Sequence, residues 1–259
     1  MANKLSLEES LVLGSGGKLT TDPKDTSKPL VVRGVIKKDH VNECLKIGRD
    51  FYYIDTGYLG NFVSKGNPGG KKLWHRVVKN ENQHSKIREV PRDRWENLLE
   101  QDPSLGWSGW KNYNKKILLV MPNPKACKYY GIDYDSWVKE TEHKIKQISN
   151  LPIEVRIKGS RSARVKDYTI YDALDSGAYA TVTMNSMAAM ESVVHGVPAF
   201  VSVPCAAGPL ASTDLNQLNN PFRPDEKIIE KQCMSLAYGQ FTLEEIQNGT
   251  AYELTEKYS

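Results

Sequence analysis

The chain has 259 residues, 39% of them hydrophobic and 25% charged, with a formal net charge of +4. That composition suits a globular protein with a sizeable core, built as one large domain or two lobes of about 100–150 residues. It excludes a membrane-spanning helix, since no apolar run approaches roughly 20 residues, and four scattered cysteines (Cys44, Cys127, Cys205, Cys233) with no Cys-x-x-Cys pair argue against a disulfide framework or a zinc site.

The first residues, Met1-Ala2-Asn3-Lys4-Leu5-Ser6, carry no signal-peptide stretch, so a cytoplasmic location with no membrane partner is expected. Residues 14–28 are rich in Gly, Ser, Thr, Asp and Lys and read as loop. Gly14-Ser15-Gly16-Gly17-Lys18 is not a P-loop, because its first glycine would fall at Val12 and Leu19 stands where magnesium needs a hydroxyl. A strand is predicted over Leu30–Val32. Asp39 is placed to cap a helix through Val41, Cys44, Leu45 and Ile47 that ends at Gly48. Further signals are a strand over 51–54, a Gly- and Lys-rich loop over 60–72, a strand over 73–78 and a helix over 91–100. Residues 102–114, with Pro103, Gly106 and Gly109, resemble a lobe linker.

The second half is more regular. Ile117-Leu118-Leu119-Val120 is a continuous apolar run and reads as a buried strand over 116–121. A helix over 134–148 follows from the spacing of Val138, Thr141, Ile145 and Ile148. Then come a strand over 153–157, a helix over 170–174, a strand over 180–183, a helix over 186–195 ending at Gly196, and a strand over 199–203. Alternating strands and helices predict a parallel sheet with right-handed crossovers, whose ligands sit beyond the C-terminal strand ends. The loops at 122–131, 158–166 and 184–187 are therefore the places to look.

Two of those loops carry suitable chemistry. The segment Val155–Arg164 packs Lys158, Ser160, Arg161, Ser162 and Arg164 around Gly159, cations and hydroxyls suited to phosphate oxygens. The plain alternative is an exposed basic turn. Asn185-Ser186 opens a helix after a strand, where free amides make an anion site, or where Ser186 is simply an N-cap. Glu191 stands among Ala188, Ala189, Met190, Val193 and Val194 and needs a partner, for which ribose hydroxyls are suitable; the alternative is an exposed helix carboxylate.

The stretch Met184–Ala199, with Asn185-Ser186, Glu191 and Gly196-Val197-Pro198, resembles the donor lobe of GT-B glycosyltransferases of the capsule, sialyl and phage-encoded groups. Lys158-Gly159-Ser160-Arg161 occupies the place of their His-Pro or Lys-Pro phosphate loop, and Leu236–Ile246 is similar to a tail of phage and bacterial relatives. The resemblance spans roughly 116–254; the first 115 residues match only loosely. It implies an α/β fold of two Rossmann-like lobes with parallel sheets flanked by helices. Residues 1–112 would be the acceptor lobe. Residues 113–259 would hold the nucleotide sugar, with a C-terminal helix packing back towards the first lobe. The donor is expected to be UDP-linked, with no cofactor and no metal, and the protein a monomer or homodimer.

Without an Asp-x-Asp near the donor loops, leaving-group neutralisation falls to Lys158, Arg161, Arg164 and the turn at Ser186. Asp55, ending an apolar strand, is the expected base, with His75 and His84 as rivals and a turn-forming Asx residue as the plain alternative. Between Lys65 and Arg94 stand nine Lys or Arg and three acids, a balance of +6, with Trp74 among them and Trp95 directly after. That mix, read as Lys71, Lys72, Trp74 and Arg76 on double-stranded DNA, suggests a hydroxymethylated pyrimidine such as 5-hydroxymethylcytosine as acceptor. The alternatives are a glycan acceptor, as in capsule or lipopolysaccharide synthesis, and a non-catalytic nucleotide- or DNA-binding module.

Overall fold

The structure is a computed structural model that describes residues 5–20, 25–34, 38–61, 73–157 and 168–259. The chain forms two compact units. One comprises Met1–His84, Arg88–Leu105 and Cys233–Ser259; the other Ser85–Ile87 and Gly106–Gln232.

In the first unit, α1 (Leu7–Gly14) starts from a capping box in which Ser6 and Glu9 satisfy each other's amides. Strands β1 (Leu30–Arg33), β2 (Phe51–Thr56) and β3 (His75–Lys79) are joined by a short strand near the C-terminus, β8 (Gln240–Phe241), in the order β1-β2-β3-β8. Only β1 and β2 are parallel; β3 is antiparallel to both its neighbours. The expectation of a parallel sheet therefore does not extend to this unit, because the β2–β3 connection contains no crossover helix among the described residues. Helix α2 (Lys38–Ile47) links β1 to β2, and α3 (Asp93–Gln101) follows β3.

Alternation along the strands divides their side chains between two faces. Tyr52, Ile54, Val77 and Phe241 face a core completed by Leu7 and Leu11 of α1, Ile246 of α9 (Leu243–Gln247) and Ala251 of α10 (Thr250–Lys257). Gly14 and Gly249 let α1 meet the α9–α10 turn backbone to backbone: a Cβ on Gly14 would lie 2.3 Å from the Ile246 carbonyl oxygen. Gly14 is thus a packing glycine at a helix end rather than part of a loop. The opposite face carries Tyr53, Asp55, Arg76 and Gln240.

The second unit holds the parallel sheet. Strands β4 (Lys116–Val120), β5 (Ile153–Arg156), β6 (Ala178–Thr183) and β7 (Ala199–Val201) run in the order β5-β4-β6-β7, every pairing parallel. Helices α4 (Pro124–Tyr130) and α5 (Tyr134–Ile148) lead from β4 to β5, and Ala126, Cys127, Trp137 and Ile145 pack on Ile117, Leu119 and Val182. Helices α6 (Ile170–Asp175) and α7 (Ala188–Val194) supply Ile170, Ala173, Leu174 and Ala188 to the other face, against Leu118 and Val120. The continuous Ile-Leu-Leu-Val run is explained by this two-sided burial. Helix α8 (Glu226–Ala237) carries the chain back into the first unit. No described helix is long and apolar enough to cross a membrane.

Candidate functional site

The sheet order of the second unit selects a place for a ligand. The chain leaves β4 towards β5 on one side and leaves β6 towards β7 on the other, so the loops after β4 and β6 part and open a crevice at their C-terminal ends. After β4 come Met121, Pro122 and Asn123, whose side chain accepts from the Lys125 amide and caps α4 with Pro124 at its first turn. After β6 come Met184, Asn185, Ser186 and Met187. Met184 is fully buried, its carbonyl accepting from the amides of Ser202 (3.0 Å) and Val203 (3.3 Å) and its sulfur 3.8 Å from that of Cys127. These bonds fix the exit of β6, so that Asn185 and Ser186 are held half-buried at its end.

Helix α7 begins later than the sequence suggests. It starts at Ala188, and Ser186 spends both its oxygens on it: Oγ accepts from the Ala188 amide at 3.2 Å and the carbonyl from the Ala189 amide at 3.1 Å. Ser186 therefore satisfies two amides that an anion would otherwise find free. Glu191 is the one residue of the seven in α7 that is not buried. The helix is locked from below by Ser192, which donates to Thr181 Oγ1 of β6 at 2.7 Å. Its far end is locked by Gly196, where φ is +86° and a Cβ would lie 1.9 Å from the Gly109 carbonyl oxygen. Lys158, Ser160, Arg161 and Arg164 lie outside the described residues.

In the first unit the structure joins two residues that the sequence assigned to separate tasks. Asp55 and Arg76 are directly opposite in the β2–β3 ladder, and Arg76 Nη2 lies 3.3 Å from Asp55 Oδ2. Arg76 Nη1 donates to the Thr56 carbonyl at 3.1 Å, and its guanidinium lies 5.5 Å from the centroids of both Tyr53 and Tyr58. Burial works against the Arg76 charge, but Tyr58, Asp55 and Tyr53 outweigh it and hold the pKa above the ordinary value. Arg76 is only 8% exposed, which leaves it little surface to offer a nucleic acid backbone. Trp74 is half-buried over Gly57 and Gly60, with its backbone pinned by both ends of the Asn61 amide. His75 is half-buried at the head of β3, opposite Thr56. Lys71 and Lys72 lie outside the described residues.

Behind this pair is a polar core that the sequence did not reveal. Gln240 accepts from the amides of Tyr58 (2.7 Å) and Leu59 (2.8 Å) and donates to the Leu59 carbonyl. The Tyr58 hydroxyl accepts from the His84 amide at 2.9 Å and lies 3.0 Å from His84 Nδ1. His84, 6% exposed, is held well below the ordinary histidine pKa, first by burial and then by Arg88 and Arg76. Enclosed and only weakly basic, it is a poor rival to Asp55 as base.

The depressed pKa has a consequence for stability. The unfolded chain binds a proton at His84 near pH 6.5 and the folded chain does not, so stability is complete above pH 6.5 and falls as the pH drops below it. Each unit below pH 6.5 is expected to cost up to about 1.4 kcal/mol from this group. Urea midpoints at pH 7 and pH 5 measure it; a drop equally large in His84→Asn would assign the effect elsewhere.

The parallel sheet flanked by helices defines the class: an α/β protein with a Rossmann-like unit. No protein-family model matches the chain, and no curated protein does. Among solved structures it is similar to Thermosulfurimonas dismutans KpsC, beta Kdo 2,7 transferase, with a TM-score of 0.54 at 12% identity over 98% of this chain and 97% of that one. It also matches Thermosulfurimonas dismutans KpsC, beta Kdo 2,4 transferase, with a TM-score of 0.48 at 12% identity over 79% and 78% of the two chains. Such identities speak to the fold alone, and the α/β class read from the sequence stands.

Proposed function

We propose that this chain is a glycosyltransferase of the GT-B kind that moves a sugar from a nucleotide-sugar donor to a hydroxyl group of a glycan. The observation that carries the reading is the end-to-end likeness to a transferase of Kdo, 98% of one chain on 97% of the other. The crevice between β4 and β6, at the Asn185-Ser186 turn and Glu191 of the donor-lobe pattern, supports it. In this reading the donor is UDP-linked, Glu191 holds ribose hydroxyls, and Lys158, Ser160, Arg161 and Arg164 neutralise the departing phosphates without a metal. The acceptor oxygen attacks the anomeric carbon, the bond to phosphate breaks, and Asp55 takes the acceptor proton.

A glycan is preferred to DNA on electrostatic grounds. Of the nine cations between Lys65 and Arg94, Arg76, Lys79, Arg92 and Arg94 have carboxylate partners inside the first unit. Arg88 donates to the carbonyls of Ser235 and Tyr258. Those five cations, spent on internal partners, add little to a face for a phosphate backbone; Lys65, Lys71 and Lys72 lie outside the described residues.

The test is a panel of nucleotide-linked hexoses, pentoses and Kdo, offered with capsule-type oligosaccharides and with hydroxymethylcytosine DNA. Sugar transfer to a glycan is expected. Labelled DNA would restore the DNA acceptor, and nucleotide binding without turnover of any donor would make the protein a binding module. Within the same assay, Glu191→Gln is expected to raise the donor dissociation constant roughly 10- to 100-fold, the loss of a charge-assisted bond of about 1.5–3 kcal/mol. An unchanged donor affinity would leave Glu191 a plain helix carboxylate.

A further inference from the structure

We infer that Arg76 is a positioning residue for Asp55, fixing together with Tyr53 the carboxylate that receives the acceptor proton; this rests on the reading above, in which Asp55 is the base. The pair is unequally exposed. Arg76 has 10% of its side chain exposed and Asp55 37%, so the cation is sealed within the unit while the carboxylate reaches solvent. A surface ion pair would expose both partners.

The bonds on Asp55 over-determine its orientation. Oδ2 receives Arg76 Nη2 and the Tyr53 hydroxyl, each at 3.3 Å, and Oδ1 receives the Thr56 amide at 2.7 Å. Among the described residues three donors occupy three of the four lone pairs, and the one that remains belongs to Oδ1. The guanidinium is itself fixed by its second bond to the Thr56 carbonyl and by the Tyr53 and Tyr58 rings. Stability alone does not account for the arrangement. A buried ion pair is generally matched or bettered by apolar residues of similar volume, and here Arg76 Nε is buried with no hydrogen-bond partner among the described residues. A rigidly oriented carboxylate with one open lone pair at the edge of the sealed region is what a positioned proton acceptor requires.

Other groups bear on Asp55. Tyr53 lies on its own strand, Arg76 and His75 are on β3, Arg33 of β1 is paired with the neighbouring Ile54, and β8 contributes the neutral Gln240 opposite Arg76. Tyr58, His84 and Arg88 complete the cluster around Arg76.

The full chain with donor and acceptor decides it. Arg76→Met is expected to lower kcat at least tenfold with the donor KM unchanged, and Arg76→Lys, which keeps the charge, to recover part of the loss. Tyr53→Phe, nearly isosteric, is expected to lower kcat by less, again with the donor KM unchanged. If Arg76→Met does not fold, Tyr53→Phe decides alone. A lowered melting temperature with kcat unchanged, in a variant that folds, overturns the positioning role and leaves a structural ion pair. Full turnover in Asp55→Asn overturns instead the assignment of Asp55 as base, and no turnover in the wild type overturns both.

Discussion

Replacing Asp55 with Asn is expected to lower the transfer rate by about 10²–10⁴ while donor affinity stays near normal. The substitution keeps the shape of the side chain, and the Thr56 amide still finds an oxygen at Oδ1. What it removes is the ability to take a proton, and most of the attraction to Arg76 across 3.3 Å. The donor crevice belongs to the other unit, so an effect on kcat without an effect on donor binding is the signature of the assignment. A variant that keeps more than about a tenth of normal turnover points instead to His75. His84 is a poor candidate for that role, because burial encloses its ring behind Tyr58 and leaves it only weakly basic.

The second unit was legible because its physics is local and repetitive. The apolar run of β4, the 134–148 spacing and the short strands that follow match the observed elements to within a few residues. The first unit was less so. The capping boxes Ser6-x-x-Glu9 and Thr242-x-x-Glu245 mark α1 and α9, and the pattern alone would have found both helices. The stretch 122–131 reads as a loop, yet Pro124 is the first residue of α4, a position that tolerates a missing amide. The antiparallel pairing of β3 with β8 joins residues about 165 positions apart, and no local pattern encodes it.

The site was divided in the same way. Asn185 and Ser186 follow from the rule that ligands meet strand ends, and they lie just past the end of β6; Glu191 was singled out by its apolar neighbours and is the one residue of α7 that is not buried. Asp55 could be singled out for ending a strand, but its partner could not. Arg76 read as one more cation in a basic segment, because sequence reports charge and not burial. Ladder register, a tertiary fact, is what turns Arg76 into the neighbour of Asp55. Gln240 and Asn61, neutral amides far from either motif, carry no sequence signal at all, yet they fix the turn that follows Asp55.

Substituting Arg94 is expected to destabilise the first unit by about 1.5–3 kcal/mol, the cost of leaving a half-buried carboxylate and its neighbours without a charged partner. Arg94 of α3 donates to Glu245 through Nη1, to the Ala237 carbonyl through Nε at 3.1 Å and to the Gln240 carbonyl through Nη2 at 2.8 Å. Its guanidinium also lies 5.2 Å from the Phe241 ring centroid and 5.7 Å from that of Tyr238. One side chain thus ties α3 to α8, β8 and the start of α9. Glu245 cannot simply be released, because its other role is to close the capping box on the Thr242 amide. Burial opposes its charge, but Arg94 and Thr242 together hold its pKa below the ordinary value. Arg94→Met keeps much of the volume and loses every bond, so the predicted shift of the melting midpoint is about 10 °C. Arg92, two residues earlier, is the internal control. It pairs with Glu96 one helical turn on, at 2.8 Å, but with 51% and 53% of the two side chains exposed. Water screens that pair, and Arg92→Met is expected to cost only about 0.3–0.5 kcal/mol. Thermal or urea unfolding of the two variants measures the difference directly. Equal shifts in both would mean that the C-terminal segment is held by its apolar contacts alone and that Arg94 is no more than a surface charge.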